Sequence, residues 1–213
     1  MSRRRARSLA ATAAATALAV AVVPGVADAK RIVFGSDLTA PANRTETHGA
    51  DSVFWNVGLA GGRKARVPAR GRVATIKLKG TAIRNGKKPL TEFHFQILHP
   101  SDGRVRVSLT SGPFDVPVGG DPNQITTYHP VNLCARKRDF VAFNDEGGYD
   151  PPQYPQGTPF RVFSSVPGST TRFYTKADGT NNGARFKGSK HVGEELLMQM
   201  TVVTGKAAGI CPH

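Results

Sequence analysis

The chain has 213 residues, and its 29 lysine and arginine residues against 15 aspartate and glutamate residues give a formal net charge of +14 at pH 7. This length suits one domain with a real hydrophobic core, and the positive charge favours anionic partners. The sequence lacks the G-x-S-x-G, H-E-x-x-H and P-loop motifs, so no familiar catalytic class is indicated.

The first segment predicts a secretory signal peptide over residues 1–29. Four arginines form a basic head, Leu9 to Val23 is largely apolar, and Ala27-Asp28-Ala29 matches the small-x-small cleavage pattern. Cleavage after Ala29 leaves residues 30–213 as a single domain. The apolar run is shorter than the roughly 20 residues of a membrane helix, so an uncleaved anchor is the weaker alternative. With no further apolar span, we expect a secreted or envelope protein with no membrane span after cleavage.

Residues 30–213 are predicted to form a series of short strands. Apolar and polar residues alternate in several windows, as they do in half-buried strands. In Arg104 to Leu109, for example, Val105, Val107 and Leu109 are predicted to face inward. The predicted strands cover residues 52–59, 72–79, 92–98, 104–109, 139–144, 159–164, 171–175 and 194–204.

Turn residues separate these strands, and no convincing capped helix is found. Asn85-Gly86 and Asp102-Gly103 supply the positive backbone angles that hairpin turns need. The strand at 139–144 has apolar residues on both faces, which predicts an interior position, and Trp55 is predicted to pack in the core. The pattern predicts an all-β fold, an antiparallel two-sheet β-sandwich of jelly-roll-like form.

Cys134 and Cys211 are the only cysteines of the chain. An exported protein meets an oxidising compartment, so a disulfide between them is expected. It would tie the C-terminal tail to the region of the central strand. A nucleophilic thiol and a cysteine metal site are the alternatives.

The loop at 144–157 is the leading candidate for a ligand site. Asn144, Asp145, Tyr149 and Tyr154 combine hydrogen-bond acceptors with flat rings that could stack on a sugar. Asp145, Glu146 and Asp150 offer the hard oxygen ligands that calcium takes, which makes calcium the one candidate cofactor, although the spacing is not that of an EF-hand. The alternative is a structural loop whose acids balance nearby basic residues.

A basic belt is the second candidate site. From Arg63 to Lys88 there are ten positive residues and no acidic one. If the strands at 72, 92 and 104 are neighbours, one sheet surface would carry a polyanion patch that includes Lys77, Lys79, Arg104 and Arg106. Aromatic residues do not interleave with this belt, so nucleic acid is an unlikely partner. A solvated basic surface is the alternative.

Other polar residues give weaker signals. The turn at 178–183 contains Asp178, Asn181 and Asn182, which are ordinary turn formers. His191 and Glu194 could form a ligand pair, and Asp145 with Glu146 could be half of a glycosidase pair, because catalytic carboxylates are brought together by folding.

The sequence therefore predicts an exported, non-catalytic β-sandwich that binds a polymer of the cell envelope or surroundings, with carbohydrate as the leading class and an anionic wall polymer as a further one. A structural envelope protein without a small ligand is the second hypothesis. A secreted polysaccharide hydrolase or lyase is the third.

The predicted signal peptide gives the first testable prediction. Mass spectrometry of the exported protein should find Lys30 as its first residue, because the Ala-Asp-Ala site ends the signal peptide. Recovery of the intact chain, beginning at Met1, from the membrane would contradict it.

Overall fold

The computed structural model describes residues 29–49, 51–145, 154–205 and 211. Within them the backbone forms fifteen strands and one short 3-10 turn at Ala60–Gly62. The strands are β1 (Arg31–Gly35), β2 (Arg44–Glu46), β3 (Ser52–Gly58), β4 (Gly71–Lys79), β5 (Thr81–Ala82), β6 (Glu92–Ser101), β7 (Arg104–Thr110), β8 (Phe114–Asp115), β9 (Ile125–Tyr128), β10 (Cys134–Ala135), β11 (Phe140–Asn144), β12 (Phe160–Thr175), β13 (Arg185–Phe186), β14 (Ser189–Leu196) and β15 (Met198–Val203).

Two antiparallel sheets pack against each other, so the predicted β-sandwich is confirmed. The small sheet has five strands in the order β1-β15-β4-β10, with β9 also paired to β4. The large sheet has ten strands in the order β13-β7-β6-β11-β3-β12-β14. Strands β2 and β5 also pair with β12, and β8 pairs with β6.

The main core lies between the sheets. The large sheet contributes mostly aromatic rings and the small sheet mostly aliphatic side chains, and the residues named below are all buried. They include Phe54, Phe93, Phe95, Phe143 and Phe163 from the large sheet and Val73, Ile76, Leu78, Met200 and Val202 from the small sheet. Ring pairs such as Phe93 and Phe143, with centroids 4.7 Å apart, add to the stabilisation from area burial.

A second cluster covers the other face of the large sheet. Successive side chains of a strand point to opposite faces, so Phe54 joins the main core while Val53 and Trp55 join this outer cluster. Trp55 is fully buried, as predicted, and its ring packs 5.8 Å from Phe186 of β13. Strand β11 is buried along its whole length between β6 and β3, which confirms the predicted interior strand.

Two predicted strand boundaries are wrong. The predicted strands 159–164 and 171–175 are one strand, β12, whose pairing with β14 shifts register between Ser165 and Thr170. Pro167 lies in this irregular stretch, where its missing N–H removes no regular ladder bond. The predicted strand 194–204 is two strands, because the chain passes at Leu197 from β14 in the large sheet to β15 in the small sheet.

The predicted disulfide between Cys134 and Cys211 is confirmed, with their Cα atoms 5.5 Å apart. In the part of the chain that the structure describes, no helix has the length and apolar character to cross a membrane.

A buried ion pair holds the loop after β3 against the end of β14. Glu195 has 0% of its surface exposed, and both its oxygens accept hydrogen bonds from the Arg63 guanidinium, at 2.9 and 2.8 Å. The Ser169 hydroxyl donates a further hydrogen bond of 2.7 Å to the same carboxylate. Such a charge is tolerated in the interior only because it is paired and hydrogen-bonded.

The substitution Arg63→Met should therefore lower the free energy of unfolding by about 3–5 kcal/mol, because it leaves an uncompensated buried carboxylate. The double variant Arg63→Met/Glu195→Gln should recover part of that loss. Urea unfolding of the three proteins measures both effects. Equal stability of the single and double variants would show that the buried charge does not need Arg63.

Candidate functional site

An open cavity of about 610 Å³ lies where β7 of the large sheet faces β10 of the small sheet. Three arginines, a histidine-aspartate pair and the disulfide line it, so we name it the arginine cavity. Its lining residues are Arg70, His99, Arg106, Ser108, Leu109, Asn132, Cys134, Ala135, Arg136, Asp139 and Cys211.

A β-bulge in β7 explains how Arg106 reaches this cavity. Val107 pairs with Leu98 and Leu109 with Ile97, so Ser108 is the extra residue of the bulge. Before the bulge, Val105 and Val107 face the outer cluster, and Arg106 faces the small sheet. After it, Leu109 packs against the main core. The prediction that Val105, Val107 and Leu109 share one face is therefore wrong.

The polar floor of the cavity is built around Asp139. This residue is 2% exposed, and its two oxygens accept hydrogen bonds of 2.7 Å each from His99 Nδ1 and from the Arg136 backbone N–H. Its own backbone is fixed as well, because its carbonyl accepts a hydrogen bond from Val67 N–H. In a neutral imidazole this arrangement places the proton on Nδ1 and leaves Nε2 of His99 as an acceptor.

The charge balance of the cavity is positive. Arg70, Arg106 and Arg136 are all exposed, while the carboxylate of Asp139 is buried and already hydrogen-bonded. Guanidinium groups present a rigid fork of donors that matches carboxylate and phosphate oxygens. The arrangement can therefore bind an anion.

The same cavity contains the residue types of a serine hydrolase, but not their geometry. Ser108 Oγ donates a 3.0 Å hydrogen bond to the Ile97 carbonyl. Among the described residues no hydrogen bond joins this hydroxyl to His99, whereas an activated nucleophile needs such a contact with its base. The geometry therefore gives more support to binding than to catalysis.

The predicted polyanion patch is not one surface. Its two lysines lie on β4 in the small sheet, whereas Arg104 and Arg106 lie on β7 in the large sheet. Lys77 is exposed, but Lys79 is 8% exposed and its Nζ donates to the carbonyls of Leu38 and Ala40, at 3.0 and 2.8 Å. The condition for a single patch, that the strands at 72, 92 and 104 are neighbours, is not met, because only the last two pair with each other.

Sequence reasoning missed four residues of the arginine cavity: Arg70, His99, Arg136 and Asp139. A signal existed in the run Arg136-Lys137-Arg138, which begins two residues after Cys134 of the disulfide. In the sequence analysis this run enters only through the alternative for the 144–157 loop, in which basic residues balance its acids. Nothing in the sequence indicated that His99 of β6 would meet Asp139.

The described part of the 144–157 loop holds strands together. Asn144 is fully buried, and its Nδ2 donates to the Ser52 carbonyl and to Thr180 Oγ1, at 3.2 and 3.0 Å. Asp145 is 3% exposed and accepts a 2.8 Å hydrogen bond from Ser52 N–H. Burial raises the pKa of Asp145 well above its usual value.

Three members of the predicted loop site, Glu146, Tyr149 and Asp150, lie outside the described residues. The calcium and sugar roles of this loop stay predictions.

Tyr154 lies at the end of that loop and is 5% exposed. Its hydroxyl donates to the Lys87 carbonyl and accepts a 3.1 Å hydrogen bond from Asn85 N–H. A ring buried in this way offers no stacking face to a sugar. It ties the loop to the turn at Asn85-Gly86 instead.

Comparison with known protein families, with characterised proteins and with solved structures finds no match for this chain. The cavity itself therefore carries the argument for function.

The placement of Tyr154 gives a testable prediction. Tyr154→Phe removes the hydroxyl but keeps the ring, so the free energy of unfolding should fall by about 0.5–1.5 kcal/mol, because part-buried hydrogen bonds to the backbone of Asn85 and Lys87 are lost. The affinity of the arginine cavity for an anionic ligand should stay the same when the free energy of unfolding falls. Urea unfolding and a binding assay on the same preparation measure both. Lost binding with an unchanged unfolding midpoint would instead make Tyr154 a ligand contact.

Proposed function

We propose that this protein is an exported β-sandwich that binds an acidic polysaccharide of the cell envelope or surroundings. The arginine cavity holds carboxylate groups of the polymer. The single observation that carries this proposal is the convergence of Arg70, Arg106 and Arg136 on one open cavity. Among the described residues that line it, Asp139 has the only carboxylate, which is buried and already hydrogen-bonded.

A second basic depression favours a polymer over a small anion. It has a volume of about 420 Å³ and is lined in part by Arg66, Arg104, Arg172 and Lys190. Arg104 and Arg106 are two residues apart on β7, and such side chains lie on one face of a strand, about 6.6 Å apart. Arg104 lines this depression and Arg106 lines the arginine cavity, so the two basic regions adjoin at β7. A polymer with repeated negative charges could contact both regions.

The cavity also offers apolar surface. Leu109 and Ala135 lie among its lining residues, and sugar rings pack their C–H faces on such groups, as binding sites commonly combine apolar walls with a few polar anchors. The guanidinium groups would select the acidic sugar, and the apolar walls would contact its ring. Support for export comes from the predicted leader and from the disulfide, which persists in oxidising compartments.

The proposal is tested by isothermal titration calorimetry at about 0.15 M salt, which is the physiological ionic strength. Polygalacturonate is the ligand, and neutral dextran is the comparison. Arg106→Ala/Arg136→Ala should bind polygalacturonate at least about tenfold more weakly, because two charge-assisted contacts are lost. A poly(glycerol phosphate) arm asks whether a phosphate polymer binds better than a carboxylate polymer.

A matched control removes the same number of charges elsewhere. Lys77→Ala/Lys187→Ala changes two exposed lysines that do not line the cavity. It should change the affinity by less than about threefold, because exposed charges at a distance are screened by salt. Equal losses in both double variants would mean a diffuse field rather than a site, and equal binding of dextran would contradict the acidic ligand.

A further inference from the structure

A second cluster of reactive side chains lies on the large sheet and takes no part in the arginine cavity. It consists of Glu46 on β2 with His191 and Glu194 on β14. Nδ1 of His191 is 3.1 Å from Oε1 of Glu194 and 4.0 Å from Oε1 of Glu46. One ligand atom from each residue lies within 4.8 Å of the other two.

The local backbone explains why His191 and Glu194 meet. In a regular strand, residues three apart point to opposite faces. Gly193 between them has a φ of +78°, a conformation that side-chain-bearing residues rarely adopt. In the same stretch the register with β12 shifts between Ser165 and Thr170. This irregularity brings both side chains to one side of β14, and bulges of this kind commonly re-aim side chains at functional sites.

The Glu194 carboxylate is buried without a full set of partners. It has 0% of its surface exposed, and its Oε2 accepts no hydrogen bond in the described structure. The Arg44 Nε lies 3.2 Å from this oxygen and balances its charge, but its N–H is not aligned for a hydrogen bond. Oε1 faces His191. Buried polar atoms are normally satisfied, so an oxygen left without a donor points to a missing partner.

The surroundings hold the imidazole in place. The ring of Phe173 packs against both His191 and His48, with ring centroids 4.5 and 5.0 Å apart. Nε2 of His48 is also buried without a hydrogen bond. Two carboxylates held this close repel each other, and a bound cation offsets that repulsion.

We propose that Glu46, His191 and Glu194 bind a divalent transition-metal ion of the zinc type. Imidazole nitrogen with carboxylate oxygen is the donor set of such ions, whereas calcium and magnesium prefer oxygen alone. Two ligand atoms at about 2.1 Å from a tetrahedral ion lie about 3.4 Å apart. The observed separations need only small side-chain rotations to reach that value, and the ion would give Oε2 of Glu194 the partner that it lacks beside Arg44.

Three protein ligands leave one tetrahedral position for water or another ligand, as in open zinc sites. This site is independent of the arginine cavity, so its test and the polysaccharide test can fail separately.

The test is calorimetric titration of tag-free, chelator-treated protein with zinc chloride. We expect one saturable zinc ion per chain and a thermal midpoint that rises with zinc, since a ligand that binds only the folded state stabilises it. Glu46→Gln and His191→Gln should each weaken binding at least about tenfold, because loss of a ligand should cost no less than loss of an outer-shell partner. Cobalt in place of zinc should give visible absorption bands that both variants lose.

Matched controls are Glu92→Gln and His129→Gln, which make the same chemical changes at exposed positions outside the cluster. Both should bind zinc like the parent. Near-ultraviolet circular dichroism without zinc checks that each variant is folded, and either ligand variant alone suffices for the test. No saturable zinc binding by the parent, or equal binding by parent and ligand variants, would overturn the proposal and leave a cluster held by a shared proton and Arg44.

Discussion

The burial of two consecutive carboxylates, Glu194 and Glu195, is the constraint on which much of this structure depends. Both are fully buried at the end of β14, immediately before the chain crosses at Leu197 into the other sheet. Burying a charge is costly unless it is paired, and each glutamate meets an arginine from a distant segment, Arg44 or Arg63. The crossover between the sheets is therefore fixed by charge pairing as well as by apolar packing.

Irregular strand geometry places both candidate sites. The extra residue Ser108 in β7 sends Leu109 into the main core and leaves Arg106 facing the small sheet. In β14, Gly193 turns His191 and Glu194 to one side of the strand. In each case a regular strand would have separated side chains that the bulge brings together. The regular strands supply the rigid frame, and the bulges aim the functional groups.

The two sites have opposite electrostatic character. The arginine cavity collects guanidinium groups around a carboxylate that is already satisfied, and so attracts anions. The Glu46 cluster collects carboxylates and an imidazole beside one arginine, and so attracts a cation. A formal net charge of +14 favours encounter with polyanions at long range, but selectivity comes from the local arrangement of donors.

The sequence alone predicts the fold class, the interior strand and the cysteine pair correctly. Alternation with period two, Asn-Gly and Asp-Gly turns, and an apolar run on both faces of residues 140–143 are local signals that tertiary packing reinforced. It did not determine which strands are neighbours, because pairing between strands depends on contacts far apart in the chain. Lys77 and Arg106 therefore proved to lie on different sheets. Only the tertiary structure placed Arg70 and Arg136 around the His99–Asp139 pair, because these residues come from separate segments of the chain. The direction of Leu109 relative to Arg106 was hidden as well, since the one-residue bulge at Ser108 reverses side-chain direction and leaves no clear mark in the alternating pattern.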